Sequence, residues 1–260
     1  MIVEGKTIAV SGVGPGLGSE IVAAALRDGA NVVLGARNAD RLDEVAAALD
    51  PGGSHTLAQR LDICDADTCA EWFDAAAERF GSIDAVVNVA AIDYLPGGLL
   101  DSDLDSWRAA TETNIIGTIQ LLRAGVPHLR DAGGGAIVLV GSQSYTLPPD
   151  MPMAPYASSK AALESLQRAM VGELGPDRIR VNTVHPTWMW GPPVQMYVDF
   201  TSAARKVDRE VVIEELRSKF PLGEIPADDD VAEAVLFLCS DRARMITGQN
   251  LFVNAGEHMP

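Results

Sequence analysis

Short apolar runs alternate with helical patterns from one end of the chain to the other, and this alternation constrains the fold more than any other feature. Strands separated by helices pair in parallel, because only a long crossover can return the chain to the same end of a sheet. Seven runs read as strands: Thr7–Val10, Asn31–Gly35, His55–Leu61, Ala85–Asn88, Ala136–Val140, Arg180–His185 and Asn250–Val253. Helical patterns run from about Gly18 to Asp28, over Ala39–Leu49, Ala66–Phe80, Asp103–Leu129, Ala157–Leu174 and Val207–Lys219, and over Asp229–Cys239. The pattern predicts an α/β fold: one doubly wound domain over residues 1–260, its central parallel sheet of about seven strands flanked by helices on both faces. The rhythm breaks once, from Pro186 to about Ala203, where an irregular segment is expected. A long loop is seldom kept without use, so about 187–220 is read as a lid over a binding site.

Composition narrows the class of partner. The 260 residues are 47% apolar, which suits a packed core, and 36 acidic against 20 basic residues give a net charge of −16. An acidic surface disfavours nucleic acid and anionic membranes as partners and leaves a small molecule. No apolar stretch is long enough to span a bilayer, and the start of the chain shows no secretory leader pattern. Cys64, Cys69 and Cys239 lack metal-ligand or Cys-x-x-Cys spacing, so no metal is expected and the thiols read as reduced, in the cytoplasm.

The first strand runs into Ser11-Gly-Val-Gly-Pro-Gly-Leu-Gly18, which opens the first helix. Glycines let backbone turn tightly and approach a phosphate, and a helix N-terminus presents unpaired N–H groups and partial positive charge to it. Gly12, Gly14, Gly16, Leu17 and Gly18 are therefore candidates to hold the pyrophosphate of a dinucleotide, as in a Rossmann-like fold. An acidic residue ending the second strand would accept hydrogen bonds from a ribose 2′-hydroxyl, but the run here is Leu34-Gly-Ala-Arg-Asn38. Arg37 instead favours a 2′-phosphate, which predicts NADP(H) as preferred cofactor with NAD(H) possible.

Tyr156-Ala-Ser-Ser-Lys160 places a phenol and an ammonium four residues apart, on one face of a helix. A nearby cation favours the phenolate and is expected to lower the phenol pKa from roughly 10. A phenol tuned in this way can exchange a proton with an alcohol oxygen.

With the glycine turn and Tyr156-x-x-x-Lys160 together, the chain resembles the short-chain dehydrogenase/reductase family over essentially its whole length. Further matches are Leu61-Asp62-Ile63, Asn88-Val-Ala-Ala91, Asn114 in Glu-Thr-Asn-Ile-Ile-Gly, the strand ending in Ser142, Arg180-Val-Asn-Thr-Val-His-Pro186 and Ile246–Val253. The resemblance implies Tyr156 as general acid/base and Lys160 as the cation that tunes it and holds the nicotinamide ribose. It implies Ser142 as donor to the substrate oxygen, and Asn114 as holder of a water leading to solvent. Asp62 and Ile63 are implied beside the adenine, Asn88 and Ala90 at the sheet end, and Pro186 and Met189 beside the nicotinamide. Ser142 is preferred over Ser144 because it directly follows the apolar strand. The chain departs from the family pattern at Val89, Ala91, Thr187, Asn254 and Gly191; at the last of these a threonine commonly meets the cofactor.

Three segments are expected to form the substrate pocket: Ile92–Pro96, Leu147–Met153, and Thr187–Trp190 with Pro193–Tyr197. Their Trp, Met, Tyr and Leu content implies an apolar substrate, such as a cyclic, terpenoid, steroid or aryl secondary alcohol and its ketone. Packing of the lid onto the domain, or cover of a subunit interface, is the competing reading of the same residues. Small residues on two helices, Ala157, Ala161 and Ala162 on one and Ala110, Gly117 and Ala124 on the other, permit close pairing, and the resemblance implies a homotetramer. Beside the oxidoreductase stands a non-catalytic dinucleotide-binding regulator of the same fold. Sugar-nucleotide epimerases and enoyl reductases are less well matched, the latter because their Tyr–Lys spacing is typically wider.

Overall fold

A computed structural model describes residues 1–148 and 151–260 of the chain. Seven strands form one parallel sheet: β1 (Thr7–Ser11), β2 (Asn31–Ala36), β3 (Thr56–Arg60), β4 (Ala85–Asn88), β5 (Gly135–Val140), β6 (Ile179–Pro186) and β7 (Asn250–Val253). Their order across the sheet is β3-β2-β1-β4-β5-β6-β7, so the winding reverses between β1 and β4. Strands buried on both faces need apolar side chains pointing both ways, which is why these runs are rich in Val, Ile and Leu without polar alternation.

Helices α1 (Leu17–Arg27), α2 (Ala39–Leu49), α3 (Ala66–Phe80), α4 (Leu104–Ala110), α5 (Thr118–Asp131), α6 (Ala154–Leu174), α7 (Pro192–Arg205), α8 (Arg209–Arg217) and α9 (Asp228–Cys239) connect and flank them. Side-chain caps start several of these helices: Asn38 accepts from the Arg41 amide at 3.1 Å, Asp65 from Asp67 at 3.0 Å, and Asp103 from Ser106 at 2.6 Å. One core layer joins Val22, Val235 and Leu236 to Val10, Leu34 and Val138. The other packs Trp72, Phe73, Leu121 and Leu163 against Val33, Val86 and Ile137.

Three expectations need correction. The helical pattern of Asp103–Leu129 is not one helix, for a seven-residue π-helical turn, Thr111–Gly117, separates α4 from α5. Such turns accommodate a residue too many for α geometry and occur often at functional sites. The irregular segment after β6 is short, because Pro192 and Pro193 start α7 at positions where a helix has no amide to lose. Residues 187–220, expected to form a lid, are therefore mostly helical, with their own core of Val194, Val198, Val212 and Leu216. Finally, the third strand spans Thr56–Arg60, and α6 begins at Ala154, which puts Tyr156 in its first turn. Other ends differ by a residue or two, within the fraying common to helix and strand termini.

Candidate active site

The crevice where the winding reverses is framed by the ends of β1 and β4, whose Ser11 and Asn88 stand side by side in register. Beyond β1 the chain turns at Gly12, which has φ +84 and whose absent side chain leaves room for the Ala90 backbone. Gly18 lies so close to the Gly12 carbonyl that a Cβ there would collide with it. Gly16 is the N-cap of α1, and Leu17 is buried beneath the turn. Gly14 projects into open space, while its carbonyl accepts from Ser19 Oγ at 2.6 Å. A backbone cradle that excludes its own side chains and ends on a helix N-terminus fits a dinucleotide pyrophosphate.

At the end of β2, Arg37 is exposed and forms no ion pair among the described residues. Past β3, Asp62 is fixed by its neighbours: its amide donates to Thr68 Oγ1 at 3.2 Å, and its Oδ1 accepts from the Cys64 amide at 3.1 Å. Ile63 is buried and presses against Gly117 of the π turn. These residues form the far wall of the crevice, where the adenosine half would lie. Gly117 thus owes its size to a contact within the subunit, and Ala110 is buried as well, so neither serves the slim outer face expected of that helix.

A directed chain of hydrogen bonds, buried as far as Ser159, links this half to the half that holds Tyr156. Ser11 Oγ donates to Asn88 Oδ1 at 2.6 Å, and Asn88 Nδ2 donates to Thr118 Oγ1 at 2.8 Å. Thr118 Oγ1 donates to the Asn114 carbonyl at 2.8 Å, and Asn114 Nδ2 donates to Ser159 Oγ at 2.9 Å. Ser159 Oγ then donates to the Tyr156 carbonyl at 2.7 Å. Asn114 also grips Ile92 by both backbone groups, accepting from its amide at 2.8 Å and donating to its carbonyl at 3.0 Å. The π turn aims Asn114 at these partners, and its side chain ties loop, turn and α6 together.

Ser142, Tyr156 and Lys160 converge at the ends of β5 and α6. Lys160 is buried, its Nζ 5.7 Å from the centre of the Tyr156 ring and donating to the Val140 carbonyl at 2.7 Å. Burial lowers the Lys160 pKa to about 8, against the opposing pull of Asp93. Burial also drives the Tyr156 phenol up to about 12; a hydrogen bond with Ser142 opposes this shift and the Asp93 charge adds to it. The expected lowering by Lys160 is therefore not what the structure has. Desolvation of the phenolate outweighs a cation engaged with a carbonyl, and the phenol is held protonated. Ser142 Oγ accepts from the Ser144 amide at 3.2 Å, whereas Ser144 Oγ is buried without a partner among the described residues.

Pro186 closes β6 in register with Val253, and Met189 packs on the core beside it. At Gly191, in the threonine position of the family pattern, a Cβ would collide with the Asp228 carboxylate, which also borders Gly16. Burial raises the Asp228 pKa, and the charges of Glu20 and Asp229 add to the shift. Of the three pocket segments, the first two are laced together next to Tyr156, with the Gly97 amide donating to the Pro152 carbonyl at 2.8 Å and the Ala154 amide to the Gly97 carbonyl at 2.9 Å. Pro149 and Asp150 of the second segment lie outside the described residues. In the third, Trp188, Trp190 and Tyr197 pack onto the small core of α7 and α8, while Met196 and Phe200 of α7 are exposed.

Sequence reasoning placed Asp93 in a pocket segment without a role for its charge, and it missed Glu257. Glu257 follows the last strand, where no periodicity marks a role, yet its Oε2 accepts from both Gln143 Nε2 and Thr187 Oγ1.

Known proteins resemble this chain over nearly its whole length. A family model described as enoyl-(acyl carrier protein) reductase matches residues 12–258. D-threitol dehydrogenase of Mycolicibacterium smegmatis is 31% identical over 255 residues, covering 97% of this chain and 93% of its own. Trans-4-hydroxycyclohexanecarboxylate dehydrogenase of Sinomonas cyclohexanicum is 30% identical over 262 residues, covering 97% and 92%. Among solved structures, a short-chain type dehydrogenase/reductase from Mycobacterium ulcerans superposes with a TM-score of 0.87 at 26% identity, covering 99% of this chain and 91% of that one.

Proposed function

This chain belongs to the short-chain dehydrogenase/reductase family, and from that premise we propose that it interconverts a cyclic secondary alcohol and its ketone, with NADP(H) preferred and Tyr156 as general acid/base. It is an oxidoreductase of CH–OH groups. Its cofactor is a nicotinamide dinucleotide, which when bound supplies or takes up the hydride.

The observation that carries the finer reading is the convergence of three side chains: Tyr156 is hydrogen-bonded with Ser142, and buried Lys160 lies with its Nζ 5.7 Å from the centre of the Tyr156 ring. In the reducing direction Tyr156 Oη gives its proton to the carbonyl oxygen of the substrate; in the oxidising direction it takes the alcohol proton. A phenol held protonated by burial is ready for the first of these. Ser142 donates a hydrogen bond to the same substrate oxygen and fixes its position. Lys160 supplies positive charge as the phenolate forms, and its amine is placed to hold ribose hydroxyls. The glycine turn would hold the pyrophosphate end, with Asn88 bracing the sheet end behind it and Ala90 beside Gly12; Asp62 and Ile63 would lie at the adenine, and Pro186 and Met189 at the nicotinamide.

One helical turn between Tyr156 and Lys160, together with relatives named as alcohol dehydrogenases, favours this reading over enoyl reduction, despite the description attached to the matching family model. Retention of Ser142, Tyr156 and Lys160 in one enclosed site favours an enzyme over a dinucleotide-binding regulator. Exposed Leu99, Leu100, Leu104 and Ile116 around α4 and the π turn support a homotetramer. No described helix is long and apolar enough to cross a membrane, and all three cysteines are unpaired, which supports placement in the reducing cytoplasm.

A panel of ketones and secondary alcohols, followed at the nicotinamide absorbance with each cofactor, tests the reaction. Turnover of cyclic secondary alcohols, faster with NADP(H), is expected; tight dinucleotide binding without turnover across the panel would point to the regulator. Arg37→Asp tests the cofactor preference. Removing the cation and adding a carboxylate is expected to reverse the ratio of kcat/KM for the two cofactors by about tenfold or more, since each charge-assisted hydrogen bond contributes roughly 1.5–3 kcal/mol. An unchanged ratio would reject the role of Arg37.

A further inference from the structure

We propose that Glu257 is a substrate-binding residue and that the substrate is a neutral diol or hydroxyketone, its second hydroxyl donating to this carboxylate. The inference deepens the alcohol-oxidoreductase reading and rests on it.

Glu257 comes from the far end of the chain to the border of the proposed site. Its Oε2 is held by Gln143, the residue after Ser142, and by Thr187, the residue after Pro186. Gln143 is locked in turn, since Asn254 Nδ2 donates to its Oε1 at 3.1 Å. Asn254 also fastens the tail, donating from the same amide to the His258 carbonyl at 2.7 Å. The carboxylate is therefore fixed by the residues that directly follow Ser142 and Pro186, at the end of the sheet where the substrate would lie. Its other oxygen, Oε1, meets no protein donor among the described residues and is not among the enclosed polar atoms that lack a partner. A fixed carboxylate with one oxygen satisfied and one available is an acceptor awaiting a donor, and a hydroxyl on the substrate supplies one.

The opposite rim carries the same sign of charge. Asp93 follows Ile92, whose backbone is clamped by Asn114, so the exposed Asp93 is held over the mouth of the site. Its charge acts on both Tyr156 and Lys160. An anionic substrate would approach two carboxylates on a protein of net charge −16, whereas a neutral polyhydroxylated one gains a charge-assisted hydrogen bond and meets no repulsion.

Three probes of similar ring size read the inference directly: cyclohexane-1,2-diol as cis and trans isomers, cyclohexanol, and 4-hydroxycyclohexanecarboxylate. Wild-type protein is expected to favour one diol isomer over cyclohexanol by about tenfold or more in kcat/KM, the worth of one hydrogen bond to a charged group. The carboxylate is expected to be the poorest of the three. Glu257→Gln keeps an oxygen for Gln143 and Thr187 and removes the charge, so the diol-to-cyclohexanol ratio is expected to fall toward one while the melting temperature stays within a few degrees. Equal turnover of diol and cyclohexanol by wild-type protein, a preference for the carboxylate, or an unchanged ratio in a folded Glu257→Gln variant would each overturn the inference and leave the alcohol reaction standing. Failure of every alcohol with dinucleotide bound would overturn the reaction itself, and this inference with it.

Discussion

Tyr156→Phe is expected to lower kcat by roughly two to four orders of magnitude, the range over which a positioned proton donor contributes, while changing dinucleotide affinity less than about threefold, or under 1 kcal/mol. The substitution keeps the ring that packs beside Lys160 and removes only the hydroxyl that faces Ser142. Lys160 keeps its bond to the Val140 carbonyl, and the glycine turn is untouched, so the dinucleotide half is expected to stay intact. Steady-state turnover measured beside calorimetric dinucleotide binding separates the two effects. Near-normal turnover would remove Tyr156 from the proton transfer, and a matching loss of binding would show that the ring position had shifted.

Gly18→Ala is expected to cost about ten- to a hundredfold in dinucleotide affinity, from the roughly 1–3 kcal/mol of overpacking that a tight site imposes. The added methyl would meet the Gly12 carbonyl and come within 2.9 Å of Val13 Cα, both backbone that cannot swing aside. Relief requires the turn to open at the place where a phosphate would be cradled. Gly14→Ala is the matched control, because nothing lies within 4 Å of a Cβ there. Calorimetry on the two variants decides the matter: equal affinities would mean that the turn does not hold the dinucleotide.

Much of the architecture is legible because it depends on local pattern. Runs such as Ile137–Val140 and Val32–Leu34 can only be buried strands, and the alternation with helices dictates parallel pairing. Asn88 is legible for a similar reason: a polar residue ending a buried strand must find partners, and it finds Ser11 and Thr118. What escapes is what depends on distant packing. The π turn at Thr111–Gly117 has helix-forming neighbours on both sides, and only the demands of Asn114 on Ile92 and Ser159 select it. Pro192 and Pro193 look like loop residues until their place at a helix start is seen. The direction of the Tyr156 shift depends on how fully the phenol is enclosed, and four-residue spacing carries no information about enclosure. Glu257 lies in a tail whose partners stand 70 and 114 residues away in sequence.

The hydrogen-bond chain from Ser11 to the Tyr156 carbonyl has a further consequence. Each bond in it has a fixed donor and acceptor, so removing a member leaves a neighbour short of a partner, at a cost of about 1–3 kcal/mol where that neighbour is buried. Loosening of the nucleotide end cannot stay local, and fluctuations there propagate to the first turn of the catalytic helix. Whatever steadies the floor of the cleft is therefore expected to steady the first turn of α6 as well, where Tyr156 stands.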